Sequence, residues 1–114
     1  MTLTIETKNS VLVLSPRGRI DHRTGAEFGS ALLSYVGGPQ SNTRMVVNFS
    51  GVDYMNSVGL HVVLWVRKRM AGTKGRLVLC EMKEHIREVF KVSGFDQVVT
   101  VVDTEADALT RFYH

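Results

Sequence analysis

The chain has 114 residues, 44% hydrophobic and 22% charged, and its 14 Lys and Arg exceed its 11 Asp and Glu to give a formal net charge of +3. That size and balance allow one small soluble domain with a real core, and the scattered basic residues, without an aromatic-basic RNA motif, argue against direct nucleic-acid binding. One cysteine excludes an internal disulfide framework, and with neither a basic-then-apolar leader nor an apolar run of bilayer length, a cytoplasmic protein without membrane insertion is expected.

Leu3 to Thr7 alternates apolar and polar residues, which predicts a half-buried strand. Asn9-Ser10 predicts a hairpin turn into a second strand over Val11 to Leu14. Pro16 cannot donate to a ladder and marks a strand end or a bulge. Asp21 is a suitable N-cap for a helix carrying Ala26, Phe28, Ala31, Leu32, Tyr35 and Val36, which Gly37-Gly38-Pro39 stops. Arg44 to Phe49 has the pattern of a buried strand, and Gly51-Val52-Asp53 that of a turn. A second helix is expected from about Ser57 to Met70, with Gly72 and Gly75 bracketing the turn into a strand over Arg76 to Cys80. Cys80 closes the apolar run Leu77-Val78-Leu79 and reads as a small buried hydrophobe rather than a nucleophile. Glu84 to Val92 predicts a helix with Ile86, Val89 and Phe90 on one face, ended by Ser93-Gly94. A last strand over Val98 to Val102 and a closing helix from Thr104 through Ala108 and Leu109 complete the chain. Strands alternating with helices imply right-handed βαβ units. The expected fold is therefore α/β: one domain over residues 1–114, a mixed, mostly parallel sheet with an N-terminal hairpin, and about four helices.

The segment from Val46 to Leu60 carries most of the functional information. A β-branched run leads through Gly51-Val52-Asp53 to Asn56-Ser57-Val58-Gly59-Leu60, which places Ser57 at a helix start. Unpaired backbone N–H groups and the positive end of the helix dipole collect there, so a phosphate is well accommodated. On residue type alone, such a serine is an ordinary helix cap.

This segment resembles the signature of the STAS family of anti-sigma factor antagonists, Asp-Ser-Ser/Thr-Gly-Leu-Gly. Gly18-Arg19-Ile20-Asp21 resembles the family's Gly-x-Leu/Ile-Asp, and Val89-Phe90-x-x-Ser93-Gly94-Phe95 its late helix-to-strand corner. The order of elements agrees along essentially the whole chain. The resemblance implies a phosphorylatable protein-binding module in which Ser57 is the acceptor. It implies as partners an anti-sigma factor serine kinase of the histidine-kinase-like ATPase fold, which brings its own ATP, and a serine phosphatase. No cofactor is implied for this chain. The partner-binding residues expected around Ser57 are Asp21, Asn56, Val58, Gly59, His61 and Trp65. A constitutive scaffold in a regulatory or transport-associated complex is the alternative.

Three positions depart from the signature. Asn56 replaces the Asp and keeps its capping capacity without the charge; Val58 replaces the second hydroxyl residue, leaving Ser57 the acceptor. His61 replaces the last Gly, and Trp65 follows one turn later on the same face. With Leu60, Val63 and Leu64 as the core stripe, His61 and Trp65 point outward or sideways. His61 is then a surface residue, and Trp65 either packs under a loop or anchors a partner, a role in which Trp is enriched. Arg67-Lys68-Arg69, with Lys74 and Arg76, forms a basic cluster that is either a solvated face or a steering surface for an acidic partner. The four histidines have no metal-ligand spacing, and no Ser-His-Asp arrangement or phosphate-cradling Gly-rich loop is present, so catalysis is not expected.

Overall fold

The alternating segment at the start forms a hairpin. In a computed structural model, which describes residues 1–38 and 40–113, strand β1 (Thr2–Lys8) pairs antiparallel with β2 (Val11–Ile20). The two turn residues, Asn9 and Ser10, both take positive φ (51° and 67°), the geometry that matches the twist of the flanking strands.

β2 is longer than expected because it serves two neighbours in succession. Its first half pairs parallel with β3 (Arg44–Asn48) through Leu12 to Leu14. Its second half pairs parallel with β4 (Gly51–Met55) through Arg17 to Ile20. Pro16 therefore does not end the strand. It is buried opposite Leu3 and falls in the gap between the two parallel pairings, where its missing N–H breaks no ladder on that side. The irregularity lies two residues later, between Gly18 and Arg19, where Gly18 takes φ 105°. The expected turn at Gly51-Val52-Asp53 is instead the start of β4.

Helix α1 (Gly25–Leu33) starts later than expected, and Asp21 does not cap it; the N-cap position is Thr24. Asp21 opens the turn before the helix, its carbonyl accepting from Gly25 N at 2.7 Å. Phe28 and Leu32 face the core as expected, whereas Ala26 is exposed, and Tyr35 and Val36 lie beyond the helix end. Pro39, placed with the helix stop, lies outside the described residues. Helix α2 (Ser57–Ala71), strand β5 (Arg76–Cys80) and helix α3 (Glu84–Ser93) follow close to expectation. A 3-10 turn at Phe95–Gln97 then uses the backbone of Val98 and Val99, so the last strand, β6, is only Thr100–Val101. Helix α4 (Glu105–Thr110) is capped by the Thr104 hydroxyl, which accepts from Asp107 N at 3.0 Å.

The six-stranded sheet runs β1-β2-β3-β5-β6, with β4 beside the second half of β2. Every pairing after the hairpin is parallel. Both faces are covered, which explains the unbroken apolar runs in β3 and β5. Met45, Val47, Leu77 and Leu79 join Phe28, Phe49, Phe90, Leu60 and Val63 under α1, α2 and α3. Val46, Val78 and Cys80 alternate onto the other face, with Val11, Val13, Val102 and Ala108 of α4. Burial pushes the Cys80 thiol up to about 12, so it stays protonated and inert. No helix among the described residues is long and apolar enough to cross a membrane.

The start of α4 is tied to the strands through Glu105. Glu105 accepts from Lys8 Nζ at 2.7 Å and from Asn48 Nδ2 at 3.0 Å. The bond from Lys8 holds the Glu105 carboxyl below its ordinary value of 4.5, and the bond to Glu105 raises Lys8 above 10.5. A lowered carboxylate stabilises the fold above its ordinary pKa and loses that contribution as pH falls through the lowered value. A raised ammonium contributes below its ordinary pKa and loses that contribution as pH rises through the raised value. The pair therefore stabilises between these limits. Glu105→Gln should flatten the acid limb of stability below pH 4.5 relative to the parent, read by urea unfolding across pH.

Candidate functional site

The Ser57 segment forms one corner of the domain, where the second half of β2, the end of β4 and the start of α2 converge. Asn56 N donates to Ile20 O at 3.2 Å, joining the entry of α2 to the last residue of β2. Asn56 is the N-cap: its extended backbone (φ −105°, ψ −171°) lets its side-chain oxygen accept from Val58 N at 3.0 Å. Ser57 is then the first helical residue. It is exposed, and its hydroxyl is not the capping group.

Gly59 is buried, and it serves the corner from beneath rather than as a contact surface. A Cβ there would meet Met55 Cγ at 2.5 Å and Ile20 Cγ2 at 2.9 Å. The close neighbours are thus side chains of β4 and β2. Leu60, Val63, Val66 and Met70 continue the buried stripe of α2; Leu64, expected in it, is only half-buried.

On the outer side of α2, Ser57, His61 and Trp65 follow at intervals of four and share a face. Trp65 is 55% exposed, so it does not pack under a loop. His61 is also exposed and sets its ring edge-on to Phe95, 6.3 Å away, at the corner after α3. With Val58 and Val62, these two side chains line a shallow apolar hollow of about 410 Å³. Val58 and Val62 in turn lie against Gly25 and Gly29 of α1.

The turn between β2 and α1 borders the same corner. Asp21 accepts from Arg23 N at 2.9 Å, and its own N–H donates to the Thr24 hydroxyl at 3.0 Å. That hydroxyl donates onward to Arg19 O at 2.7 Å. The bond from Arg23 N holds the Asp21 carboxyl below its ordinary value, so it is ionised at neutral pH. Arg19 lies over the Tyr54 ring of β4, 4.1 Å from its centroid. The turn thus presents the charges of Arg19, Asp21 and Arg23 beside the α2 entry.

Two further groups hold the corner from residues that local sequence did not point to. β4 has no strand on its other edge among the described residues. There Lys83 Nζ donates to Ser50 O at 2.9 Å and Val52 O at 3.1 Å, and pairs with Asp53 at 3.2 Å. His85 Nε2–H donates to Asp53 O at 2.6 Å. No group of three His, Cys, Asp or Glu side chains among the described residues is placed to hold a metal. The basic residues lie elsewhere: Arg67 and Arg76 border one hollow at the far end of α2, Lys74 and Arg76 border another with Arg44 and Arg111, and Lys68 and Arg69 are exposed.

The STAS domain model matches residues 2–108. A Bordetella bronchiseptica protein named as an anti-sigma factor antagonist, BtrV, is 33% identical over 112 residues, covering 98% of this chain and 95% of its own. The crystal structure of an anti-sigma factor antagonist from Mycobacterium paratuberculosis superposes with a TM-score of 0.82 at 25% identity, over 99% of this chain and 94% of that one. The phosphorylated form of the Bacillus cell fate determinant SpoIIAA has the same fold, with a TM-score of 0.69 at 22% identity over 96% of this chain and 98% of that one.

Gly59→Ala should lose about 1–3 kcal/mol of stability, because Ile20 and Met55 must give way to the new methyl. Urea unfolding measures this; an unchanged midpoint would mean the corner is looser than described.

Proposed function

The chain belongs to the STAS domain family, and we propose that it is an anti-sigma factor antagonist that switches partners through phosphorylation of Ser57. With its hydroxyl unmodified, the Ser57 corner binds an anti-sigma factor serine kinase of the histidine-kinase-like ATPase fold and relieves what that kinase sequesters. The kinase transfers phosphate in return: Ser57 Oγ bonds to the γ-phosphorus of kinase-bound ATP, the bond to the β–γ bridging oxygen breaks, ADP leaves, and the hydroxyl proton is released. A serine phosphatase hydrolyses the ester and returns the hydroxyl.

One observation carries the reading. Asn56 does the capping, so the exposed Ser57 hydroxyl is free at a helix start without any structural duty there. The first-turn N–H groups and the helix dipole accept the charge of about −1.5 to −2 that a phosphate brings, so the fold survives modification. A partner surface closed over the same helix end loses complementarity with that charge. Asn56 in place of the family's Asp keeps the cap and removes one negative charge beside the acceptor hydroxyl. Asp21, Asn56 and Val58 frame the contact, Gly59 shapes it from below, and His61 and Trp65 extend it along α2. BtrV, which shares a third of its residues with this chain, is named for the same antagonism.

In titrations against the cognate kinase, Ser57→Ala should bind like the parent and resist phosphorylation. Ser57→Asp should fold but bind at least about tenfold more weakly, a loss of about 1.4 kcal/mol or more. Equal binding by Ser57→Asp would sink the charge switch and leave a constitutive scaffold. Trp65→Ala should also weaken binding by about tenfold with an unchanged melting temperature, as an exposed anchor would. A large fall in melting temperature instead would assign Trp65 to the core.

A further inference from the structure

The turn that borders the Ser57 corner shows its positive charges outward and turns its carboxylate in. Arg17, Arg19, His22 and Arg23 are exposed and, with Asp21, line one open hollow of about 550 Å³. The Asp21 carboxylate accepts from Arg23 N and lies 3.6 Å from Arg19 Nε, and its side chain is 15% exposed, against 62% for Arg19. Arg17 and Arg23 form no ion pair among the described residues. Three guanidinium groups thus border one hollow whose single carboxylate is already bonded.

Two of the three are held in place. The stem of Arg17 packs on β4 at its register partner Gly51, where an added Cβ would meet Arg17 Cγ at 2.8 Å. Arg19 rests on the Tyr54 ring. Side chains ordered before binding lose less entropy on contact, and guanidinium groups take carboxylates in bidentate pairs.

The turn is joined to the Ser57 segment at both ends. Ile20 O accepts from Asn56 N at 3.2 Å, and Gly25 lies so close to Val58 that a Cβ there would meet Val58 Cγ1 at 2.6 Å. Residues 21–24 therefore run alongside Asn56, Ser57 and Val58. An interface of ordinary size covers about 800 Å² on each partner, so a protein closed over Ser57 reaches the turn as well.

We infer that this turn docks an acidic segment of the partner, with Arg17, Arg19 and Arg23 pairing with clustered carboxylates on the face of the kinase that closes over Ser57. This rests on the antagonist reading and gives its partner a chemistry. It also supplies the repulsion that the switch needs. A phosphate on Ser57 sets a charge of about −1.5 to −2 beside those carboxylates and drives them off, while the arginines tolerate it on the free chain.

Titration of the full chain against the cognate kinase without ATP, at about 50 and about 300 mM salt, is the test. Parent affinity should fall by about tenfold or more over that range, chiefly through slower association. Arg17→Gln/Arg23→Gln keeps the Arg17 stem and the Arg19 contacts. It should melt like the parent, bind at least about tenfold more weakly at the lower salt, and lose most of the salt dependence. Lys68→Gln/Arg69→Gln removes the same charge from the far end of α2 and should bind within about twofold of the parent. Equal weakening by both pairs would reduce the effect to general charge attraction and overturn the docking surface. Parent-like binding by Arg17→Gln/Arg23→Gln overturns it too, even with slower phosphorylation once ATP is added, since the arginines would then serve the nucleotide phosphates. In either case kinase binding by the parent still upholds the antagonist reading. No binding by the parent at either salt overturns both.

Discussion

At Gly59 the first turn of α2 lies so close to Ile20 and Met55 that even a methyl group would force their side chains to shift. That contact sets the height of the helix start above the ends of β2 and β4, and through it the position of everything on the Ser57 face. With α2 seated there, Asn56 reaches both the last residue of β2 through its backbone and the first turn of α2 through its side chain. Ser57 is left exposed with no capping duty. A bulkier residue at Gly59 would lift the helix start and disturb each of these relations together.

The strands beneath owe their arrangement to the division of β2. Because β2 leaves β3 after Leu14 and takes up β4 from Arg17, the sheet opens at the corner where α2 begins. The unpaired edge this creates on β4 is closed by Lys83 and His85, whose side chains bond to carbonyls that a further strand would otherwise occupy. Side chains close the edge where a strand would invite unwanted pairing. The corner is therefore rigid beneath and open above, as suits a surface that binds a partner and accepts a covalent change.

Much of this was legible in the residues. The hairpin, the strands β3 and β5, and the helices α2 and α3 follow from period, punctuation and run length. Ser57 at a helix start followed from its neighbours, and the family from the signature around it. What was not legible depended on distant partners. β4 is short, begins with Gly51 and has Asp53 in its middle, so it reads as a turn; β2 makes it a strand. Asp21 has the chemistry of a cap, but the turn bonded through Thr24 and Arg19 intervenes before the helix. Pro16 reads as a stop until the gap between two pairings makes room for it. Arg44 and Arg111 joined the basic cluster only through the register of β3 with β5 and the docking of α4. The exposure of Trp65 was undecided from helical spacing alone, and the structure places it outward.

The central claim is that Ser57 is an acceptor hydroxyl and not a structural one. Intact-mass and peptide mass spectrometry of the chain, incubated with ATP with and without its cognate kinase, tests it most directly. The account predicts a single added phosphate on Ser57, dependent on the kinase and absent from Ser57→Ala. A chain that binds the active kinase yet stays unmodified, or that carries the phosphate on another residue, would contradict it.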